Sequence, residues 1–287
     1  MGSRTEPEPR RAFAKINLTF EVTGKRADGY HEIVSVMQAI DLCDVLTFEP
    51  RESLRLSCNV PELVSPNNLV FKAARLMQNV AGHHQGVAIS LTKGIPLAGG
   101  LGGGSSDAAV VLQSLNELWK PGVSEEKLME LAAGLGSDVP FFCCGSTTAL
   151  AQGRGDRVVA LPHLPRAWIV LVVPAIRVTD KTRRMYARLD PSRFTDGRHA
   201  SRVAGLIERG GNVVSESCYN AFDDLAYSFF PGLDRYRNAL LAAGADGVHV
   251  AGAGPVLFTI AEDRARGLGI LEKLKRERVE SYLVGTL

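Results

Sequence analysis

One stretch decides how this chain folds: Pro96-Leu97-Ala98-Gly99-Gly100-Leu101-Gly102-Gly103-Gly104-Ser105-Ser106-Asp107-Ala108-Ala109. Its glycines let the backbone turn sharply and let a ligand approach the main-chain amides closely. Beyond it, helical spacing of apolar residues predicts a helix that ends at Pro121-Gly122, with the inward residues Ala108, Val111, Leu112, Leu115 and Trp119. A glycine loop that leads into a helix N-terminus presents unpaired N–H groups to an anion, and phosphate is the usual anion. The alternative is a surface loop in which Ser105 or Ser106 is an ordinary N-cap.

The loop differs from two common phosphate-binding patterns. A P-loop ends in Gly-Lys followed by Ser or Thr, whereas Ser105 here follows Gly104 directly. The dinucleotide-binding fingerprint needs a strand, a tight turn and a ribose-binding acid around its glycines, and these are not set out around this loop. The sequence also lacks the His-Arg-Asp and Asp-Phe-Gly signatures of protein kinases.

Strands and helices follow one another along the rest of the chain. Alternating apolar and polar residues from Ala14 to Val22 predict a half-buried first strand with Lys15 and Asn17 on its polar face. The patterns beyond residue 165, with extra helices set aside, have the β-α-β-β-α-β order of a ferredoxin-like unit. We therefore expect an α+β protein, with Pro162 to Pro165 as the boundary between domains of residues 1–162 and 163–287.

The composition excludes several classes of function. The chain has 287 residues, 45% hydrophobic and 22% charged, with a formal net charge of +2. A charge this close to zero gives no reason to expect nucleic acid or an anionic membrane as a partner. No apolar run approaches the roughly 20 residues that span a bilayer, and the polar tail from Met1 to Arg11 lacks the apolar core of a signal peptide. We expect a cytoplasmic protein of unspecified oligomeric state.

The cysteines do not indicate a metal site or a disulfide framework. The chain has five, with no Cys-x-x-Cys pair: Cys43, Cys58, Cys143, Cys144 and Cys218. An odd number without that pattern argues against disulfides and structural zinc. Cys143 and Cys144 continue an apolar run, so we expect buried reduced thiols there rather than a redox pair. No metal-ligating residue is predicted.

Several segments resemble, in the same order, the motifs of the GHMP kinases, a family that includes galactokinase, homoserine kinase and mevalonate kinase. The glycine run is similar to their second motif, Ala14 to Leu18 to the first, and Gly252-Ala253-Gly254-Pro255 to the third. Ala253 stands where Ser or Thr is common, and Val256 replaces a frequent Thr, so possible hydroxyl contacts are lost while the glycines remain. The resemblance implies a two-domain fold, with an N-terminal domain like ribosomal protein S5 domain 2 and a C-terminal ferredoxin-like domain.

Two residues are candidates for catalysis. Phosphoryl transfer needs phosphates to be held, charge to be balanced and an acceptor hydroxyl to be aimed and deprotonated. Asp138 precedes an apolar run, so it is partly desolvated and needs a partner; a cap or turn role is the alternative. Lys15 could equally be part of a solvated polar face. The resemblance implies that Asp138 is the catalytic base and that Lys15 pairs with it at the acceptor hydroxyl.

The resemblance also implies a set of ligand-binding residues. ATP, with Mg²⁺ implied by nucleotide chemistry, is expected against the glycine run, meaning Pro96, Leu97, Ala98, Gly99, Gly100, Leu101, Gly102, Gly103, Gly104, Ser105, Ser106 and Asp107. Asn68 and Lys93 match further positions of the ATP site, although a helix cap and a solvated lysine are the alternatives.

The acceptor pocket is predicted from Asp28-Gly29-Tyr30-His31, which otherwise reads as a hairpin corner. In one branch of the family this tetrapeptide helps to bind a cytidine group carried by the acceptor. Tyr30 can stack on a pyrimidine, and His31 can exchange hydrogen bonds with its edge. Asn17 is expected to hold the substrate or the catalytic aspartate. A second aromatic residue, for the other face of the pyrimidine, is expected near residues 174–182, but this segment has none and the next aromatic residue is Tyr186. Alternatives are a homoserine or mevalonate type of kinase, or a non-catalytic ATP-binding regulator on the same fold.

Overall fold

A computed structural model describes residues 8–82 and 86–287. The strands in these ranges are β1 (Arg10–Lys25), β2 (His31–Arg51), β3 (Arg55–Cys58), β4 (Gly86–Thr92), β5 (Thr148–Gly153), β6 (Arg157–Ala160), β7 (Trp168–Val172), β8 (Tyr219–Asn220), β9 (His249–Val250), β10 (Leu257–Ala261) and β11 (Ser281–Gly285). The α-helices are α1 (Leu69–Ala81), α2 (Gly103–Trp119), α3 (Glu125–Leu135), α4 (Val139–Cys143), α5 (Lys181–Arg188), α6 (Arg198–Glu208), α7 (Asp223–Phe229), α8 (Leu233–Ala243) and α9 (Arg264–Arg276).

The described chain divides into two compact units. The first comprises residues up to 14, 42–95 and 102–144, and the second comprises residues 15–41, 96–101 and 145–287. Strands β1 and β2 each contribute residues to both units. The units are discontinuous in sequence, and the division of family domains at residues 162 and 163 stays a prediction.

The first unit packs helices α1 to α4 with a sheet of order β3-β4-β2. β4 runs antiparallel to residues 45–51 of β2 and parallel to β3. Helix α1 begins after Asn68, whose side chain accepts the N–H of Val70. The predicted inward residues of α2 are buried in one core with those of α1: Ala108, Val111, Leu112, Leu115 and Trp119 from α2, and Val70, Ala73, Ala74 and Met77 from α1.

The second unit contains a four-stranded antiparallel sheet of order β11-β7-β10-β9. Numbered by their order along the chain, these strands lie 4-1-3-2, with α9 between β10 and β11 and α5 to α8 between β7 and β9. The predicted β-α-β-β-α-β order and the α+β fold class are confirmed. A second group of strands in this unit has the order β6-β5-β2-β1-β8.

Two expectations about the N-terminal part are wrong. The polar face of β1 is not solvated: Lys15, Asn17, Thr19 and Glu21 are all buried. The strand alternation is correct, but both faces are covered, so the polar side chains pair with protein groups instead of water. The predicted tail to Arg11 is also too long, because β1 already includes Arg10; residues 1–7 of that tail lie outside the described ranges.

We expect Gly100→Ala to destabilise the second unit. Gly100 has a φ of 92°, and a Cβ there would overlap the carbonyl oxygen of Ala251. An alanine forced into this conformation costs about 1–3 kcal/mol before the overlap is counted. Urea unfolding would measure the loss. The control is Gly269→Ala in α9, where a Cβ meets nothing within 4 Å; equal stability of the two variants would contradict the prediction.

Candidate active site

Helix α2 begins inside the glycine run, before either of the two serines. Gly102 is the N-cap of α2, with a left-handed φ of 72°, and its carbonyl accepts the N–H of Ser106 at 2.9 Å. Ser105 and Ser106 therefore lie inside the helix, and the alternative in which one of them is the N-cap is wrong. The left-handed cap favours glycine because a side chain would be strained there.

The glycines of the run differ in what surrounds them. In the second unit, a Cβ on Gly99 would lie 2.6 Å from Val256 Cγ2, and Gly100 packs on Ala251. In the first unit, a Cβ on Gly104 would meet only Leu69 Cδ1, at 3.9 Å. Protein packing therefore explains Gly99 and Gly100 but leaves open space at Gly104. A bare helix start with that space is a cradle of the kind that phosphate occupies.

Three charged side chains meet beneath the start of α2. The ammonium of Lys93 contacts Asp44 Oδ2 and lies 2.8 Å from Asp107 Oδ2. The Lys93 side chain is 6% exposed, so the alternative of a solvated lysine is wrong. Burial alone would lower the pKa of Lys93, but the attraction of Asp107 and Asp44 outweighs it and raises the pKa. Lys93 is therefore a buried ammonium shared by two carboxylates.

Lys15 begins a buried hydrogen-bond chain in the second unit. Its Nζ donates to Asn17 Oδ1 at 2.8 Å, and Asn17 Nδ2 donates to Ser35 Oγ at 2.7 Å. The Lys15 main-chain N–H donates to Leu101 O at 2.9 Å. A Cβ on Gly252 would lie 3.6 Å from Lys15 Nζ and 3.5 Å from Asn17 Oδ1. The second unit thus brings together parts of all three predicted motifs.

Two further candidates lie at helix starts in the first unit. Asn68 caps α1: its Oδ1 accepts from Val70 N at 2.9 Å, and its Nδ2 donates to Leu63 O at 2.8 Å. Both polar ends of that side chain are therefore occupied by its capping role. Asp138 is the half-buried residue before α4, a short helix through the apolar run that the sequence pattern did not predict. Roles for Asn68 at ATP and for Asp138 as a base stay predictions.

Tyr30 and His31, the residues of the predicted acceptor turn, both lie in the second unit and have different surroundings. Tyr30 is 55% exposed, and the guanidinium of Arg154 lies 5.1 Å from its ring. The His31 ring stacks on Tyr186, with centroids 4.8 Å apart. Burial and the charge of Lys25 hold the pKa of His31 below its usual value, so its ring is neutral at pH 7. A neutral imidazole offers one donor and one acceptor.

Sequence reasoning missed Asp44 and the stacking of Tyr186 on His31. Asp44 carried a usable signal, since a carboxylate inside the apolar stretch Leu42 to Leu46 of a strand needs a buried partner. Tyr186 gave no such signal, because its helix α5 is separate in sequence from the turn that it contacts. The second aromatic residue was expected at 174–182, and Tyr186 lies beyond that range.

The described residues do not form a donor set for a resident metal ion. Within residues 8–82 and 86–287 no three His, Cys, Asp or Glu side chains group suitably, and Asp44 and Asp107 share Lys93. The five cysteines are free. Cys143 and Cys144 are only half-buried, contrary to the expectation of buried thiols, although burial raises the pKa of Cys143 to about 12. Every helix in the same ranges is too short or too polar to cross a membrane.

Comparison with known proteins places the chain in a family. Residues 68–146 match the GHMP kinases N terminal domain, and residues 203–280 match the GHMP kinases C terminal domain. The chain belongs to the GHMP kinases, and because this is a family of kinases, ATP is the expected phosphoryl donor.

The similar proteins include two curated relatives. The 4-diphosphocytidyl-2-C-methyl-D-erythritol kinase of Dehalococcoides mccartyi is 42% identical over 275 residues, which cover 96% of each chain. The enzyme of the same name from Enterococcus faecalis is 38% identical over 284 residues, covering 96% of this chain and 98% of its own. A crystal structure of 4-(cytidine 5'-diphospho)-2C-methyl-D-erythritol kinase has a TM-score of 0.82 and 35% identity, covering 97% of this chain and 99% of that one.

We expect Gly104→Ala to weaken ATP binding without harming the fold. Among the described residues beyond its own helix backbone, the new methyl group meets only Leu69, and alanine is favoured over glycine in a helix by about 0.5–1 kcal/mol. The same methyl group would crowd a bound phosphate, and crowding of about 1–3 kcal/mol corresponds to a rise of roughly 5- to 150-fold in the KM for ATP.

Steady-state kinetics and urea unfolding check both parts of this prediction. Gly134→Ala in α3 is the matched control, because a Cβ there meets nothing within 4 Å. An unchanged KM for ATP in Gly104→Ala would contradict the phosphate cradle.

Proposed function

We propose that this chain transfers the γ-phosphoryl group of ATP to the 2-hydroxyl of 4-diphosphocytidyl-2-C-methyl-D-erythritol, a step of the non-mevalonate route to isoprenoid precursors. The observation that carries the proposal is 42% and 38% identity, over 96% of this chain, to kinases of that name. The chain is a phosphotransferase whose acceptor is an alcohol. Homoserine and mevalonate carry no nucleobase that a protein could recognise, so the Tyr30-His31 turn favours the cytidylyl acceptor over these two.

The donor side of the proposal rests on the start of α2. The amides of the glycine run and the positive end of the helix would hold the phosphates of ATP. The open space at Gly104 supports this, as does the similarity of the run to the second motif of the family. Mg²⁺ would arrive with the nucleotide and neutralise phosphate charge, and since Mg²⁺ usually keeps waters and phosphate ligands, no side chain is assigned to it.

The acceptor hydroxyl needs a base and a cation. We assign the base to Asp138 and the cation to Lys15, from the resemblance of their segments to the family motifs. The hydrogen bond from Lys15 to Asn17, at 2.8 Å, supports a fixed position for that ammonium. Transfer is direct, in one step and without a phosphoenzyme, because positioning and charge stabilisation supply most of the catalysis in phosphoryl transfer.

The cytidine group is assigned to the Tyr30-His31 turn. The exposed ring of Tyr30 offers a stacking face, and the neutral His31 ring offers one donor and one acceptor to the edge of a pyrimidine. Tyr186 supports this assignment by stacking on His31 and fixing the plane of its ring. Asn17 is assigned to the same substrate.

The proposal also includes expectations about the domains, the location in the cell and the partner of this protein. Domains of residues 1–162 and 163–287 are supported by the family matches at 68–146 and 203–280, which lie on either side of the boundary. Residence in the cytoplasm and a small molecule as the partner, with neither nucleic acid nor membrane, are supported by the composition and the net charge of +2.

An acceptor panel with labelled ATP tests the function. We expect label to reach the cytidylyl methylerythritol and not homoserine or mevalonate. Efficient labelling of either of the latter would assign the chain to another kind of GHMP kinase. Nucleotide binding without transfer to any acceptor would favour a non-catalytic regulator.

We expect Asp138→Asn to lower kcat by about 10²–10⁴, the usual contribution of a general base. The amide keeps the shape of the side chain but cannot accept the proton, and the KM values should change far less. Lys15→Ala should also lower kcat, and the double variant should be little worse than the worse single variant, because residues that act as a unit are not additive. Single-turnover rates check this, with the exposed Asp246→Asn as control. A rate for Asp138→Asn within about tenfold of wild type would leave Asp138 without a catalytic role.

We expect Tyr30→Ala to weaken binding of the cytidylyl substrate while the affinity for ATP stays the same. Stacking of a base on an aromatic ring is worth about 1–3 kcal/mol, or roughly 5- to 150-fold in the dissociation constant. Tyr30→Phe keeps the ring and should bind the substrate normally. Calorimetric titration with the acceptor measures both variants; equal losses in the two would assign the effect to the hydroxyl and contradict stacking.

A further inference from the structure

Asp44 is a buried carboxylate with a complete set of donors. It lies in β2 with no exposed surface. Its Oδ1 accepts the main-chain N–H of Gly94 at 2.7 Å and of Ile95 at 2.8 Å, and its Oδ2 contacts the ammonium of Lys93. Three consecutive residues, those that lead into the glycine run, are therefore attached to one side chain. These three donors compensate for the desolvation of the buried Asp44 carboxylate.

Asp107 is bonded far less completely. Its Oδ2 lies 2.8 Å from Lys93 Nζ, whereas its buried Oδ1 has no hydrogen-bond partner among the described residues. Burial raises the pKa of Asp107 to about 7, with the Asp44 carboxylate adding to the effect and Lys93 opposing it. Asp44, with donors at both of its oxygens, is therefore the more completely bonded of the two partners of Lys93.

The first residue of α2 rests on the Asp44–Lys93 pair. A Cβ on Gly103 would lie 3.2 Å from Lys93 Nζ and 3.3 Å from Asp44 Oδ2. The N–H groups at this end of α2 are the ones offered to phosphate. We propose that Asp44 is a positioning residue for the phosphate-binding start of α2, acting through Lys93; this rests on the proposed function as an ATP-dependent kinase.

For Asp44→Asn, a purely electrostatic effect and a positioning role predict opposite changes in nucleotide affinity. Removing a carboxylate near a phosphate site reduces repulsion, so charge alone predicts tighter nucleotide binding for both Asp44→Asn and Asp107→Asn. If Asp44 positions the helix start, Asp44→Asn weakens binding, because the neutral amide can still accept from Gly94 and Ile95 but no longer holds the ammonium. Asp107→Asn removes a poorly bonded carboxylate and leaves the Asp44–Lys93 pair intact.

The test measures the binding of Mg²⁺ and a non-hydrolysable ATP analogue to the full chain by calorimetry, together with steady-state kinetics. We expect Asp44→Asn to raise the dissociation constant and the KM for ATP by about tenfold or more, since small displacements of positioning groups cost up to about 10²-fold. The kcat at saturating ATP and the KM for the acceptor should change by less than about threefold. Glu49→Gln, on the exposed part of the same strand, is the control.

A double-mutant cycle separates positioning from a general loss of structure. In a Lys93→Met background, Asp44→Asn should have no further effect on analogue binding, because the group through which it acts is gone. Additive effects would overturn the proposal, as would analogue binding by Asp44→Asn that equals or exceeds that of wild type. Urea unfolding first confirms that each variant folds. If Asp44→Asn alone does not fold, Asp44→Asn with Lys93→Gln removes both buried charges together and should show the same weakening; wild-type affinity in that variant would also overturn the proposal.

The outcomes also distinguish this inference from the proposed function. Wild-type chain that binds the analogue but labels no cytidylyl acceptor would refute the proposed function and leave the role of Asp44 testable by calorimetry. Wild-type chain that binds no nucleotide would refute both. Transfer to the cytidylyl acceptor, with undiminished analogue affinity in Asp44→Asn, would refute the positioning role alone.

Discussion

The contact of one buried ammonium with two buried carboxylates is the constraint on which the first unit depends at the start of α2. Lys93 comes from the segment before the glycine run, Asp44 from β2 and Asp107 from α2. Burial of such a cluster carries a high desolvation cost. Removing one partner is strongly destabilising because it leaves a buried charge unpaired, whereas replacing all the charges by apolar residues is often neutral for stability. The cluster therefore ties three chain segments to a single arrangement, and the start of α2 is part of that arrangement.

The glycine run combines two requirements that look alike in sequence. Gly99 and Gly100 are needed because other parts of the second unit pack where a side chain would be. At Gly104 the described residues of the same unit leave space for a Cβ, with Leu69 Cδ1 3.9 Å away, so packing among them does not require a glycine there. The proposed nucleotide site would account for the space at Gly104, whereas the Val256 side chain and the Ala251 backbone account for Gly99 and Gly100. The glycines of one motif therefore do not all serve the same purpose.

Burial shapes the chemistry of the candidate residues in the second unit. The polar face of β1 is covered, so Lys15 and Asn17 are held by hydrogen bonds rather than by water. His31 is kept neutral by burial and by a nearby positive charge, which suits hydrogen bonding to an uncharged base. Hydrogen bonds thus give Lys15 and Asn17 a defined position, and the lowered pKa gives His31 a defined protonation state.

The sequence by itself determined the local features of this protein and its family. Helix periodicity, the Asn68 cap and the glycine motif depend on residues a few positions apart, so they are readable without a structure. Tertiary structure alone decided that Lys93 meets Asp44, which is 49 positions away, and that Tyr186 stacks on His31. It also decided that the polar face of β1 is buried and that α4 is a helix. Periodicity records which side of an element is apolar, whereas pairing between distant segments depends on how the elements pack, and no local pattern encodes that.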